Sequence, residues 1–350
     1  MRKILITVCT VFVVLFSYSQ DRASAESMVK QGIALHDKGD YEGAIALYDK
    51  AIDLDKEYFL PWYEKTFSLF EWGKKKECIA LSKEAIKKFP GDPGLKHIYV
   101  QYGSSLDDLG KPKDAIEIYD KGIALFPGEF LLHFNKGLTL QKMDKAEEAL
   151  AEYKKSLQLK PLHSSSNLYT GFLLQSSNKI PSLLAYATFL AIESRSERSG
   201  EAMKRVEKIL WGNTKTEGNN TTIFLDAALL GNGKDKNKED NFSPVEMIFM
   251  ITAGSKELDS LGKTAAGKLS LRLQMLINLL TEQKKSNKGF YWDHYVPFFT
   301  EMKEKEMVET LAHLMYMKTG DEENMKWLED NEAKLEAFYD WLKAYKWTSR

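Results

Sequence analysis

The chain has 350 residues, 43% of them hydrophobic and 28% charged, and a net charge of −1. That length predicts about two domains, and the composition excludes both a wholly disordered chain and a polytopic membrane protein. The near-cancellation of charge removes the basic excess on which duplex binding depends, so no nucleic acid is expected as a partner. The first predicted element is a leader. Arg2 and Lys3 precede the uncharged run Ile4 to Phe16, and Ser17 and Ser19 place small side chains just before Gln20. This anatomy predicts a signal peptide over 1–19 and an exported chain, periplasmic, at the cell surface or secreted. The apolar run is shorter than the roughly 18 residues a membrane span needs, and no span is expected in the mature chain. Cleavage after Ser19 would move the net charge to −3 and leave Cys78 as the single cysteine, so no intrachain disulfide is expected.

The segment that follows repeats itself at a step of 34 residues. Gly39 and Gly73 keep this step, as do Gly103, Gly137 and Gly171, Ala115 and Ala149, Tyr119 and Tyr153, and Pro127 and Pro161. Small and aromatic residues returning in one phase predict a solenoid of paired helices. A small residue at a helix crossing lets two backbones approach, and an aromatic ring from the other helix fills the adjacent gap. Proline after the second helix ends it.

The pattern resembles the tetratricopeptide repeat (TPR), and the resemblance implies antiparallel helix pairs in an all-α fold. Five units are framed at 25–58, 59–92, 96–129, 130–163 and 164–197, with a capping helix over 198–211, so that the predicted solenoid spans 20–212. The first-helix glycine falls on Gly32, Gly103, Gly137 and Gly171, with Thr66 as the exception. The second-helix alanine falls on Ala44, Ala115 and Ala149, with Cys78 and Leu183 in its place elsewhere. The aromatic four residues later is Tyr48, Tyr119 and Tyr153, with departures at Ser82 and Ala187, and the closing small residue of the fifth unit departs at Leu190.

Residues 213–242, rich in Asn, Thr, Gly and Lys, are predicted as a linker, with a short helix at Ile223 to Leu230. A helical C-terminal domain is predicted over 243–350, without strands. Ser243-Pro244-Val245-Glu246 reads as a capped helix start, and Met247 to Ile251, apolar all round, predicts a helix central to that domain. This layout also resembles the C-terminal region of uncharacterised secreted bacterial tetratricopeptide proteins, a resemblance that implies no activity.

The sequence contains no Gly-x-Ser-x-Gly elbow, Walker-type loop or His-Glu-x-x-His pair, so no catalytic residue, cofactor or metal site is expected. Glu309 and His313 share a helix face, but two ligands do not make a zinc site, and solvated surface is the expectation there. Cys78 occupies a core position of its repeat. Asp293-His294, within the aromatic run Phe290 to Phe299, motivates an alternative: an enzyme or small-ligand pocket walled by that run. Membership of an envelope assembly or secretion machine is a further alternative.

The resemblance places the fifth and ninth positions of each unit on a concave face. These are Val29 and Ile33, Tyr63 and Phe67, Val100 and Ser104, Phe134 and Leu138, Leu168 and Phe172. Tyr63, Phe67, Phe134, Leu138, Leu168 and Phe172 are the expected partner-binding residues. None is the Lys, Arg or Asn with which some family members hold a peptide carboxylate. The expected partner is another protein or peptide, bound as an amphipathic helix or extended apolar segment by a non-catalytic scaffold. The groove is either open or filled by the chain's own C-terminal half.

Overall fold

A computed structural model describes residues 20–211, 214–217, 220–223, 239–253 and 260–347. The predicted leader over 1–19 lies outside them. The chain divides into two compact units, one ending at Glu152 and the other beginning at Tyr153.

The first unit is built from helix pairs. Residues 20–36 form α1, followed by α2 (Tyr41–Leu54), α3 (Phe59–Glu71), α4 (Lys75–Lys88), α5 (Leu95–Asp108), α6 (Pro112–Leu125), α7 (Phe130–Lys142) and the start of α8 (Ala146–Leu159). From α2 to α7 each helix packs against its sequence neighbour, as short connections dictate. Gly32 lies so close to Tyr48 that a Cβ there would sit 2.4 Å from the ring, and Gly103 stands in the same relation to Tyr119 at 2.3 Å. This is the close crossing that the phased glycines predict. Gly39, Gly73 and Gly110 turn the chain between paired helices at φ of 81°, 78° and 73°, a left-handed conformation that glycine adopts without steric penalty. Asp144 fills the corresponding position of the fourth pair at 59°. Two ion pairs repeat with the fold: Lys65 of α3 reaches Asp49 of α2, and Lys136 of α7 reaches Asp120 of α6. Cys78 is fully buried beside Leu69 and Leu81, as its place in the repeat predicts.

The second unit contains the rest of α8, then α9 (Ser164–Leu174), α10 (Lys179–Ile192), α11 (Glu197–Trp211), strands β1 (Thr214–Glu217) and β2 (Asn220–Ile223), α12 (Ser243–Ala253), α13 (Ala265–Gln283), α14 (Phe290–Glu304), α15 (Val308–Met315), α16 (Glu322–Asp330) and α17 (Glu332–Ala344). The antiparallel pair β1–β2, in register Thr214↔Ile223, lies in the segment expected as a linker; among the described residues every other regular element is helical, as the all-α expectation has it. The β-branched threonines of the pair are the signal for strand, but the run is short and polar. Ile223 belongs to β2 rather than to the expected short helix, whose remainder lies outside the described residues.

The fifth repeat is framed one residue off in the sequence. Gly171 packs under Tyr186, not under a residue at position 187: glycine and ring are 15 residues apart here, against 16 for Gly32 and Tyr48 and for Gly103 and Tyr119. The small second-helix position is therefore Ser182 rather than Leu183; it is fully buried, and its Oγ donates to the Gly171 carbonyl at 2.7 Å. The aromatic position is Tyr186 rather than Ala187, and the closing position is Phe189 rather than Leu190.

Helix α10 is buried without interruption from Ile180 to Ala191. It packs on α9 and α11 and also on α12, α14 and α15, so the fifth repeat and the C-terminal helices share one core. This explains why the boundary between the two compact units falls within α8 rather than in the 213–242 segment. It also corrects the expected central helix. In α12, Ile248 and Ile251 remain 37% and 48% exposed, and the helix surrounded on all sides is α10.

Candidate functional site

On the first-helix face of the first unit, aromatic rings run across three helices. His36 at the end of α1 stacks on Phe67 of α3 at 4.8 Å, and Phe67 lies parallel to Tyr63 one turn earlier at 6.3 Å. Tyr63 in turn meets His97 of α5 at 5.5 Å, and Tyr41 closes edge-on against His36 at 5.2 Å. His36 Nδ1 and Ser68 Oγ, 2.7 Å apart, fix one end of the row. Burial lowers the His97 pKa and so favours the uncharged imidazole. Tyr63 and Phe67 are half-buried: Tyr63 packs against the core, and Phe67 is held between the rings of His36 and Tyr63.

The other expected partner-binding residues are distributed as follows. Phe134 on α7 is 9% exposed and contributes mainly to the core, while Leu138, one turn later, is half-buried. In the second unit, Leu168 and Phe172 lie one turn apart on α9. Leu168 is half-buried and Phe172 is 39% exposed, with the Arg205 guanidinium 5.0 Å from its ring. The structure thus joins Tyr63 directly to Phe67. The C-terminal helices engage the opposite helix of the fifth repeat, α10, together with Asn167, whose Oδ1 accepts from Tyr295 Oη at 2.9 Å. They leave Phe172 open.

Sequence reasoning missed His36, His97 and Glu64 as members of this face. Each sits within one turn of a fifth or ninth position, and that adjacency on a helix surface was the available signal. Glu64 is half-buried, and burial first, then the neighbouring Asp37 charge, raise its carboxyl pKa.

The run from Phe290 to Phe299 is a packed core and not a pocket wall. Tyr291, Trp292, Tyr295, Phe298 and Phe299 are all at most 2% exposed, and Trp292 stacks on Phe242 at 4.1 Å. Asp293 and His294 part company because adjacent helical residues face different directions. Asp293 turns outward to Lys284 at 2.8 Å, whereas His294 is wedged between Phe290 and Trp347 at 4.9 and 4.5 Å.

A cleft of about 870 Å³ opens elsewhere in this unit, lined by Lys263, Ser270, Glu309, His313, Lys326 and Trp327 among others. His313 is not the solvated surface residue the sequence suggests. It is 4% exposed and lies parallel to Trp327 at 3.7 Å. Asn324 Nδ2 donates to the His313 carbonyl, so Asn324 Oδ1 accepts from His313 Nδ1 at 2.7 Å. That bond holds the imidazole in one tautomer and leaves Nε2 as an acceptor.

Residues 32–71 match the family model described as TPR repeat, and residues 97–129 and 132–161 match that described as tetratricopeptide repeat. Among curated proteins, the small glutamine-rich tetratricopeptide repeat-containing protein 2 of Mycosarcoma maydis is 29% identical over 123 residues, 35% of this chain. The match spans about a third of that relative's length (34%). Among solved structures, Pseudomonas aeruginosa PilF covers 55% of this chain and 90% of its own at 17% identity and a TM-score of 0.44. A thermophilic TPR protein of Thermus thermophilus covers 53% and 98% at 18% identity and 0.42. MamA of Desulfovibrio magneticus RS-1 covers 49% and 95% at 15% identity and 0.40.

Proposed function

We propose that this chain, a tetratricopeptide-repeat protein, is an exported, non-catalytic scaffold that holds a segment of another protein against its first-helix face. The observation that carries this reading is the aromatic row through His36, Phe67, Tyr63 and His97, whose rings are ordered by packing yet only half-buried. Rigid rings bind with little loss of conformational entropy, which suits them to anchor an apolar segment. Phe134 and Leu138 in the first unit, and Leu168 and Phe172 in the second, are further proposed contacts. The reading of export is supported by the charged start at Arg2 and Lys3 and the apolar run Ile4 to Phe16, and its proposed destination is the periplasm, the cell surface or the medium.

Crosslinking in the native envelope followed by mass spectrometry tests the reading. A specific partner should crosslink near α1, α3 and α5, and Phe67→Ser should abolish those crosslinks while lowering the melting temperature only modestly. Recovery of no specific partner, or collapse of the fold in Phe67→Ser, would sink it. A mature N-terminus other than Gln20, or retention in the cytoplasm, would remove export.

A second reading, small-ligand binding in the C-terminal helices, is supported by the cleft at His313 and its free Nε2 acceptor. Thermal-shift screening of polar metabolites should find a compound that stabilises the protein but not His313→Phe; a screen without such a compound would discard it.

A further inference from the structure

Three helices of the second unit close around the cleft at His313, each offering one face. Gly267, Ser270 and Gln274 lie along one stripe of α13, His313 lies on α15, and Trp327 lies on α16. At about 870 Å³ the cleft has the size of a small-ligand site, for which about 300–1,000 Å³ is usual. Its polar groups fall into two sets. The charged ones include Lys263, Lys326, Glu323 and Asp330, which are exposed and carry both signs. The buried ones, His313 and Ser270, are uncharged.

His313 and Ser270 are each only 4% exposed, yet each keeps an unused hydrogen-bonding function. His313 Nδ1–H donates to Asn324 Oδ1 at 2.7 Å, and Nε2, an acceptor, has no partner among the described residues. Burial, the largest influence on the His313 pKa, lowers it and favours this uncharged ring. Ser270 Oγ accepts from Gln274 Nε2 at 3.1 Å, and its O–H has no acceptor among the described residues. The cleft therefore holds one buried acceptor and one buried donor, on two helices that pack together.

These two functions select among ligand classes. An apolar ligand would shut Nε2 and the Ser270 O–H away from water without partners. An ion seated there would exchange its hydration for uncharged groups, and a rim of both signs favours neither cation nor anion. A flat aromatic ligand finds the Trp327 ring already taken, by His313 stacked at 3.7 Å and by Lys334 Nζ over the ring at 5.1 Å. A hydroxyl both donates and accepts, so a ligand rich in hydroxyls satisfies both buried groups at once. We propose that the cleft binds a small sugar or other polyol, which donates one hydroxyl to His313 Nε2 and accepts at another from the Ser270 O–H. The proposal rests on the second reading above, small-ligand binding in the C-terminal helices, and names the class of ligand.

Ligand-observed NMR on the intact protein tests it with three sets of probes: mono- and disaccharides, amino acids, and inorganic phosphate. A saccharide should bind, and at least one of its deoxy analogues should bind at least about fivefold more weakly, as loss of one hydrogen bond implies. Ser270→Ala and His313→Phe should each weaken the saccharide by a similar factor, while Lys326→Ala at the rim should leave it unchanged. Should His313→Phe fail to fold, Ser270→Ala carries the test. Saccharide binding indifferent to Ser270→Ala, or lost in Lys326→Ala, would overturn the proposal. An amino acid or phosphate that binds in place of any saccharide, and is lost in His313→Phe, would overturn it while leaving the small-ligand reading intact. Binding of none of the three classes would overturn both.

Discussion

Gly103 of α5 lies beneath Tyr119 of α6, and a Cβ on Gly103 would stand 2.3 Å from Tyr119 Cε1 and 2.6 Å from Cζ. The ring cannot easily swing aside, because Tyr119 Oη is tied to Ser104 Oγ at 3.0 Å. Alanine in place of glycine favours a helix by about 1 kcal/mol, whereas overpacking a core typically costs about 1–3 kcal/mol. An overlap as close as 2.3 Å puts the overpacking in the upper part of that range, so Gly103→Ala should destabilise by about 1–2 kcal/mol net in urea unfolding. Gly128→Ala is the control, since nothing lies within 4 Å of a Cβ there. Equal stability of Gly103→Ala and the wild type would refute the close-crossing account.

The same contact explains which parts of the fold were legible in the sequence. A glycine and a tyrosine that must meet hold a fixed spacing, so repeats one and three could be read directly. The fifth repeat resisted because the spacing from Gly171 to Tyr186 is one residue shorter than in repeats one and three, and because α10 is surrounded rather than half-exposed, which dilutes its periodicity. Tyr63 and Phe67 were legible as half-buried neighbours on one helix face because position within the repeat determines their direction. His36, His97 and Glu64 depend on what the neighbouring helix presents, which spacing within one unit does not encode. Asp293-His294 misled because adjacency in sequence suggests joint chemistry that a helix forbids.

Asp144 tests the turn geometry. It holds a left-handed backbone at φ 59° where three other helix pairs have glycine. The left-handed conformation costs a residue with a Cβ roughly 1–2 kcal/mol, somewhat less for Asp. Asp144→Gly should raise stability by about 0.5–1 kcal/mol, read as a higher melting temperature, whereas Asp144→Val should lower it by more than that. A neutral or destabilising glycine would mean the aspartate side chain makes a compensating contact.

Asp240 anchors the chain where it enters the C-terminal helices. Its Oδ1 accepts from the Tyr291 N–H at 2.7 Å, its Oδ2 pairs with Lys154 Nζ at 2.9 Å, and its carbonyl accepts from Asn178 Nδ2 at 3.0 Å. A capping carboxylate contributes about 1 kcal/mol, and a partly buried pair adds to it. Asp240→Ala should destabilise by about 2 kcal/mol and speed hydrogen exchange at the start of α14. Asp240→Asn, which keeps the acceptor and tolerates the φ of 57°, should lose only about half as much. Equal effects of the two substitutions would assign the loss to the ion pair alone.

Acid should weaken the second unit at a pH set by two histidines. Burial lowers the His294 pKa to about 3; burial, then the Lys160 and Arg198 charges, lower that of His163 to about 4. An unfolded histidine titrates near about 6.5, so between that value and the folded values the unfolded chain binds more protons. The stability these neutral rings contribute is fully present above pH 6.5 and is lost as pH falls toward 4 and then 3. For His294 the slope approaches about 1.4 kcal/mol per pH unit. His163 precedes α9 and bonds Ser166 Oγ through Nδ1 at 2.7 Å, and asparagine there keeps a side chain suited to the start of a helix. Melting temperatures measured from pH 8 to pH 4 should fall below pH 6.5 in the wild type and fall less steeply in His163→Asn. Superimposable profiles would show that His163 is protonated without penalty in the folded protein. The remaining slope in that variant belongs chiefly to His294, held inside an aromatic stack, with the buried His313 and, at lower pH, Glu193 adding to it.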